Sequence, residues 1–165
     1  MLNDLTAEYV RSILDYNPET GVFTWKEGRQ RVKKGAIAGT TQASGYIRIM
    51  VDGRHYQAHR LAWLFYYGEW PKGHLDHKDR NPANNVISNL RECTFSENHQ
   101  NSTRSRGSTS KYQGVSWYKK TGKWRARIRV NNKLISLGHF DDEVEAAKAY
   151  REAKEKYHTF YWKGN

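Results

Sequence analysis

Between residues 102 and 110 the chain reads Ser-Thr-Arg-Ser-Arg-Gly-Ser-Thr-Ser, nine positions without one apolar side chain. A run like this has nothing to place in a core, so one continuous core cannot pass through it. The 165 residues are therefore expected as two small units, 1–101 and 111–163, with 102–110 as a basic linker. Each unit has to fold around a modest core. The single cysteine, Cys93, excludes an intramolecular disulfide and any multi-cysteine zinc site. It reads as a small buried hydrophobe.

The second unit has the plainer pattern. Trp124 to Val130 alternates strictly, which puts Trp124, Ala126, Ile128 and Val130 on one face and Arg125, Arg127 and Arg129 on the other. Tyr112–Tyr118 before it and Lys133–Phe140 after it complete three strands, turning at Lys119–Gly122 and at Asn131-Asn132. A helix follows from Asp142, whose spacing to Glu145 suits an N-cap. Ala146, Ala149, Tyr150, Ala153 and Tyr157 fall on one stripe of it. Residues 98–140 hold ten Lys or Arg and no acid. A solvated face normally mixes signs, so this excess points to an anionic partner. The whole chain agrees, with 28 Lys and Arg against 17 Asp and Glu, a formal charge of +11 and a pI near 9.8.

In the first unit, Leu5, Tyr9, Val10, Ile13 and Leu14 recur at helical spacing, which predicts a helix over residues 4–15. Asn17 to Gly21 is a turn and Val22–Trp25 a short strand. Gly28 to Val51 contains Arg29, Arg31, Lys33, Lys34 and Arg48 and no acid, and reads as a loop-like basic arm. Tyr46–Val51 alternates, Asp52-Gly53 turns, and His55–Ala58 returns as a hairpin. His59 and Arg60 open a mostly buried helix that ends at Gly68. Its start is open between plain packing and contact with a phosphate or a metal site.

Leu75 to Asn101 is dense in groups that hold a divalent ion and activate water. Asp76 and His77 are adjacent, asparagines follow at 81, 84, 85 and 89, and Asn98 comes last. Thr94 and Glu97 have capping-box spacing, so Thr94 starts a helix with Asn98 on its first turn. Turn formers fill Lys78 to Asn85, giving strand, loop, helix. An imidazole titrates near ~6.5 and can serve as a base at neutral pH. One carboxylate and one amide oxygen make a hard, weakly charged site suited to Mg²⁺ or Mn²⁺.

These residues carry a resemblance. Asp76-His77, Asn89-Leu90-Arg91 and Glu97-Asn98, preceded by His59-Arg60-Leu61, resemble the ββα-metal site of HNH nucleases, in the form of phage homing and nicking endonucleases. The resemblance covers roughly residues 5–101, with the core motif at 74–101. It implies His77 as general base, Asp76 and Asn98 as ligands of one Mg²⁺ or Mn²⁺, and Asn89 as the residue that positions the site. Asn98 stands where the family name has its last His. The zinc ribbon of some members is excluded by the lone cysteine.

The second unit resembles the APETALA-type (ERF-like) DNA-binding domain, through Ser110–Val115, Gly122–Ile128, Leu137–Phe140 and Glu145–Tyr150. That family lays its three-stranded sheet into the major groove. The resemblance carries DNA contacts onto Trp117, Lys119, Lys123, Trp124, Arg125, Arg127 and Arg129. For Trp124 the alternation leaves the opposite, core face open as well. Position 127 is often acidic in plant members and is Arg here, so base preference does not transfer. Arg60, His99, Arg104 and Arg106 join these as candidate DNA contacts.

The expected protein is α+β. An N-terminal helix and β-hairpins lead into the nuclease motif, and a three-stranded antiparallel sheet packed on one helix follows. The expected function is metal-dependent hydrolysis of duplex DNA, by nicking or by a double-strand cut. The rival is a DNA-binding regulator with an inert nuclease site. Nothing resembles a transmembrane span or a signal peptide, so a cytoplasmic protein without a membrane partner is expected. Target sequence and oligomeric state stay open.

Overall fold

Thr6 starts the first helix: its hydroxyl accepts from the Tyr9 amide at 3.2 Å, and α1 runs Ala7–Ile13. This is shorter than its periodicity predicts. Leu14 is already extended and opens β1 (Leu14–Asn17), which pairs antiparallel with β2 (Val22–Trp25). Val10 and Leu14 fit helical spacing, yet Leu14 and Tyr16 also fit period two. The strand prevails because pairing with β2 buries both on one face. The computed structural model describes residues 5–28, 31–101 and 107–161. Arg29, Arg104 and Arg106 therefore lie outside the described residues.

The described residues form a mixed α+β chain of four helices and small antiparallel sheets, grouped into two compact units divided between Phe95 and Ser96. In the first, β3 (Thr40–Thr41), β4 (Ile47–Val51) and β5 (Arg54–Gln57) form a sheet in that order. The basic arm thus contains a short strand, β3, besides the expected strand β4 at its end. The hairpin turn falls on Asp52 and Gly53, both at positive φ (47° and 75°) as a tight two-residue turn requires. The next helix, α2 (Ala58–Tyr67), stops at Gly68, whose φ of 84° a Cβ would oppose. Val10, Leu14, Ile49, Val51, Leu61 and Leu64 make the fully buried centre. Tyr16, Phe23 and Phe65 pack ring against ring beside it.

The motif adds a strand that the reading of strand, loop and helix lacks. β6 (His74–His77) pairs antiparallel with β7 (Leu90–Cys93), in a register that sets Asp76 opposite Arg91 and His77 opposite Leu90. A single 3₁₀ turn, Ile87–Asn89, leads into β7.

α3 (Phe95–Asn101) follows Thr94, and from Ser96 onward its residues group with the second unit. There Gln100 accepts from the Phe160 amide at 3.2 Å. The sheet order is β10-β9-β8, built from β8 (Val115–Tyr118), β9 (Lys123–Val130) and β10 (Lys133–Phe140). A bulge between Ser136 and Gly138 turns Leu137 into the core. The last helix, α4 (Glu143–Tyr157), is capped by Asp142, which accepts from the Val144 and Glu145 amides at 2.6 and 3.0 Å. Its buried stripe is Ala146, Ala147, Tyr150 and Ala153, against Val115, Ala126 and Ile128 of the sheet. Tyr157, expected on that stripe, is exposed.

The serine-rich stretch is anchored at its end without apolar groups. Ser110 is buried and donates to Glu143 at 2.7 Å, and Thr109 accepts from the Trp117 amide at 2.8 Å. Hydroxyls do here what the absence of apolar side chains was expected to prevent. Gly114 sits at φ +74°, with the Tyr150 ring where a Cβ would stand. Gly114→Ala is expected to lower the stability of this unit by about 2–3 kcal/mol, from positive φ and overpacking together. Amide exchange along α4 reads it; native protection in the variant would mean that Tyr150 is not held against Gly114.

Candidate active site

Asp76 and His77 end β6, and both are buried, at 6% and 5% exposure. Successive strand residues face opposite sides, and each finds its own partner. Both Arg91 contacts fall on one oxygen of Asp76, Nε to Oδ2 at 2.9 Å and Nη2 to Oδ2 at 2.8 Å. This follows from the register, because Arg91 is the cross-strand neighbour of Asp76. The His77 ring meets that of His59 at 5.1 Å and that of Tyr46 at 5.8 Å, both edge to face. Its Nε2 lies 3.3 Å from Asn85 Oδ1. Burial pushes the His77 imidazole below its ordinary pKa, against the Asn85 bond and the Asp79 and Asp76 charges. His59 is pushed down to about 3, by burial first and then by His77 and Arg60. Both imidazoles are thus neutral at pH 7.

Asn89 ties the loop between the strands. Its Oδ1 accepts from the Asp79 amide at 3.1 Å, and its Nδ2 donates to Asp79 Oδ1 at 3.0 Å and to the Asn84 carbonyl at 2.9 Å. Asp79 also accepts from the Asn81 amide at 2.8 Å and from Asn84 Nδ2 at 2.6 Å. Burial would raise the Asp79 pKa, but these bonds outweigh it and hold the carboxylate below its usual value. Asn98 is half-buried on α3 and belongs to the second unit, whereas Asp76 belongs to the first. Among the described residues no three His, Cys, Asp or Glu side chains gather as a metal cage.

Arg60 donates to the Gly73 carbonyl at 3.4 Å and lies over the Trp70 ring at 5.8 Å. His99 is exposed on the last turn of α3. On the sheet, Arg125, Arg127 and Arg129 share a face with Ser116, Ser136, His139 and Leu134 by register. Arg125 lies 4.6 Å over the Tyr118 ring, and His139 is 5.3 Å from that ring on its own account. Lys123 pairs with Asp141 at 3.1 Å, and Lys119 is exposed in the turn. Trp124 packs with the helix-side core, away from the arginines, so no DNA contact is carried forward for it. Trp117 is directly across from Trp124, with ring centroids 5.1 Å apart and 39% exposure.

Three residues outside the expected site have a place in this geometry: Asn85, Arg91 and Tyr46. Arg91 was within reach of the sequence, since Leu90 to Cys93 is a four-residue run of opposite charge to His74–His77 at one position. Asn85 and Tyr46 depend on contacts that no local pattern encodes.

Two family models match the chain: HNH endonuclease over residues 56–100 and the AP2 domain over residues 110–159. Protein 3.8 of Escherichia phage T7 is 32% identical over 103 residues, which span 62% of this chain and 85% of that protein. The AP2-like ethylene-responsive transcription factor TOE2 of Arabidopsis thaliana is 40% identical over 52 residues, 32% of this chain and 11% of that protein. A solved structure showing DNA binding and cleavage by the HNH homing endonuclease I-HmuI aligns at a TM-score of 0.41 and 26% identity, over 53% of this chain and 50% of that one. The chain belongs to the HNH endonuclease family and carries an AP2-type domain behind its HNH segment.

Proposed function

We propose that the chain is a divalent-metal-dependent endonuclease of duplex DNA, of the phage homing or nicking type. Residues 1–101 would cut, 102–110 would link, and 111–163 would bind. The observation that carries the reading is His77: buried, neutral and held on three sides, beside a buried carboxylate within the HNH segment. His77 takes the proton of a water whose oxygen bonds to phosphorus as the P–O3′ bond breaks, leaving a 5′-phosphate and a 3′-hydroxyl. Asn89 keeps the 78–84 loop closed behind the base.

Asp76 and Asn98 would hold one Mg²⁺ or Mn²⁺. The donor chemistry fits: Asp76 is a buried carboxylate and Asn98 a half-buried amide, and both offer hard oxygen donors of the kind such an ion takes. A bound ion would supply charge stabilisation for the leaving oxygen. Water and DNA phosphate would complete its shell, as hard cations prefer. No helix among the described residues is long and apolar enough to cross a membrane.

Duplex DNA would lie on the arginine face of the sheet, with Arg125, Arg127 and Arg129 at its centre and Lys119 and Lys123 at its margin. Trp117, which by register shares the Trp124 face, would reach DNA only from the β8 edge of the sheet. Arg60 and His99 are the candidate phosphate contacts near the nuclease motif. If six to eight basic residues meet phosphates, log K falls against log salt with a slope of roughly −5 to −7. A slope near zero would remove the electrostatic account of binding. The nuclease reading is tested by nicking of supercoiled plasmid with and without Mg²⁺ or Mn²⁺. DNA bound but left uncut with either ion would establish instead a regulator with an inert site.

A further inference from the structure

We infer that Asn85 is a positioning residue for His77, fixing which imidazole nitrogen carries the hydrogen. The inference rests on the reading of His77 as the base. Asn85 is 1% exposed, and its side-chain Oδ1 faces His77 Nε2 at 3.3 Å. An amide in that place sets the tautomer of the ring. With Oδ1 toward the ring, Nε2 holds the hydrogen and donates, and Nδ1 holds the lone pair. With the amide turned over, Nδ2 would donate to Nε2, and the hydrogen would move to Nδ1. The first arrangement leaves the ring a base at Nδ1, and it keeps its Nε2–H bond when Nδ1 takes a proton from water. The second would leave Nδ1 without a lone pair.

Asn85 is itself held from outside the matched HNH segment. Tyr16 donates its hydroxyl to the Asn85 carbonyl at 2.7 Å, from the buried face of β1. Gly21, in the turn between β1 and β2, lies so close that a Cβ there would stand 2.5 Å from the Asn85 carbonyl carbon and the Val86 nitrogen. The N-terminal hairpin thus fixes the Asn85 backbone from which the side-chain amide reaches His77. Asn85 Nδ2 is buried and has no hydrogen-bond partner among the described residues. Such a group is rare unless it has a use, and here it is the other half of an amide whose oxygen is committed to the ring.

The test uses the full chain with ¹⁵N-labelled histidine, free of DNA and metal. Long-range ¹H–¹⁵N correlation reads the His77 tautomer directly. The native chain is expected to show Nε2–H, and Asn85→Leu a mixture of tautomers. In single-turnover nicking at saturating enzyme, Asn85→Leu is expected to be slower by about 10–100-fold, the usual weight of a residue that orients a functional histidine, with DNA affinity unchanged. Asn85→Asp keeps an acceptor oxygen and no donor, and is expected to bring the rate back to within about tenfold of native. An Nδ1–H tautomer in the native chain overturns the inference, even if no variant folds. So does Asn85→Leu cutting at the native rate, or Asn85→Asp cutting no better than Asn85→Leu. A native chain that cuts nothing refutes the nuclease reading, while the tautomer is still decided by the spectrum.

Discussion

His77→Ala is expected to cut saturated DNA about 10²–10⁴-fold more slowly than the native chain, the usual weight of a general base, with DNA affinity within a few-fold. The substitution removes the imidazole and leaves every basic residue of the sheet in place. It also leaves Asp76 on its Arg91 partner, because the two neighbours have separate contacts. Asp76→Ala should lose cutting by a different route, through the metal, so that raising Mn²⁺ restores part of the rate. Excess Mn²⁺ should do nothing for His77→Ala. Arg127→Ala reverses the pattern, weakening affinity and sparing the rate on saturated DNA. Single-turnover nicking beside an equilibrium titration separates the three. A His77→Ala chain that cuts at the native rate would remove the active site from this stretch.

How much of this was legible depended on whether the information was local. The period-two run from Trp124 to Val130 and the Asp142 cap are local, and strand and helix stand where those patterns put them. The Asp52-Gly53 turn needs two residues at positive φ, and the sequence supplies two that tolerate it. β1 was hidden because Leu14 serves a helical and an extended pattern equally, and only its pairing with β2 decides. β7 was hidden by brevity: four residues do not establish a period, and the strand exists because β6 lies beside it. The adjacent Asp76 and His77 were visible as chemistry, but not as a packed arrangement. They face opposite sides of the strand, and each side is lined separately, by Arg91 on one and by His59, Tyr46 and Asn85 on the other. Asn85 was visible only as one asparagine among several in a turn-rich loop. Its importance comes from Tyr16, 69 positions away, which no spacing rule reaches.

Unit 1 is expected to lose stability as the pH falls from about 6.5 toward 3, and His59→Leu is expected to remove much of that loss. His59 is 8% exposed at the start of α2, with its ring 5.1 Å from that of His77 and 5.4 Å from that of Tyr46. Its Nδ1 is buried and has no hydrogen-bond partner among the described residues, so nothing there stabilises an imidazolium. The folded chain holds it neutral down to about pH 3, whereas an unfolded chain protonates it near ~6.5. Between those values the unfolded state binds the extra proton, so stability rises with pH and is lost as pH falls. Below about 3 both states are protonated and the dependence from this group ends. The full window corresponds to a contribution on the order of 5 kcal/mol at most, most of it gone by pH 4. Asp79 acts lower, since its own depressed pKa places its loss below the ordinary carboxylate range. His77 shares the direction of His59, so His59→Leu flattens the curve without abolishing it. Exchange of the Leu61, Ala62 and Leu64 amides of α2, compared at pH 7 and pH 4 after correction for intrinsic rates, measures the effect within this unit. Equal acid sensitivity in native and His59→Leu chains would mean that His59 does not stay neutral in the fold. A flattened curve would leave the imidazole that packs on His77 uncharged across the whole range in which a base could work.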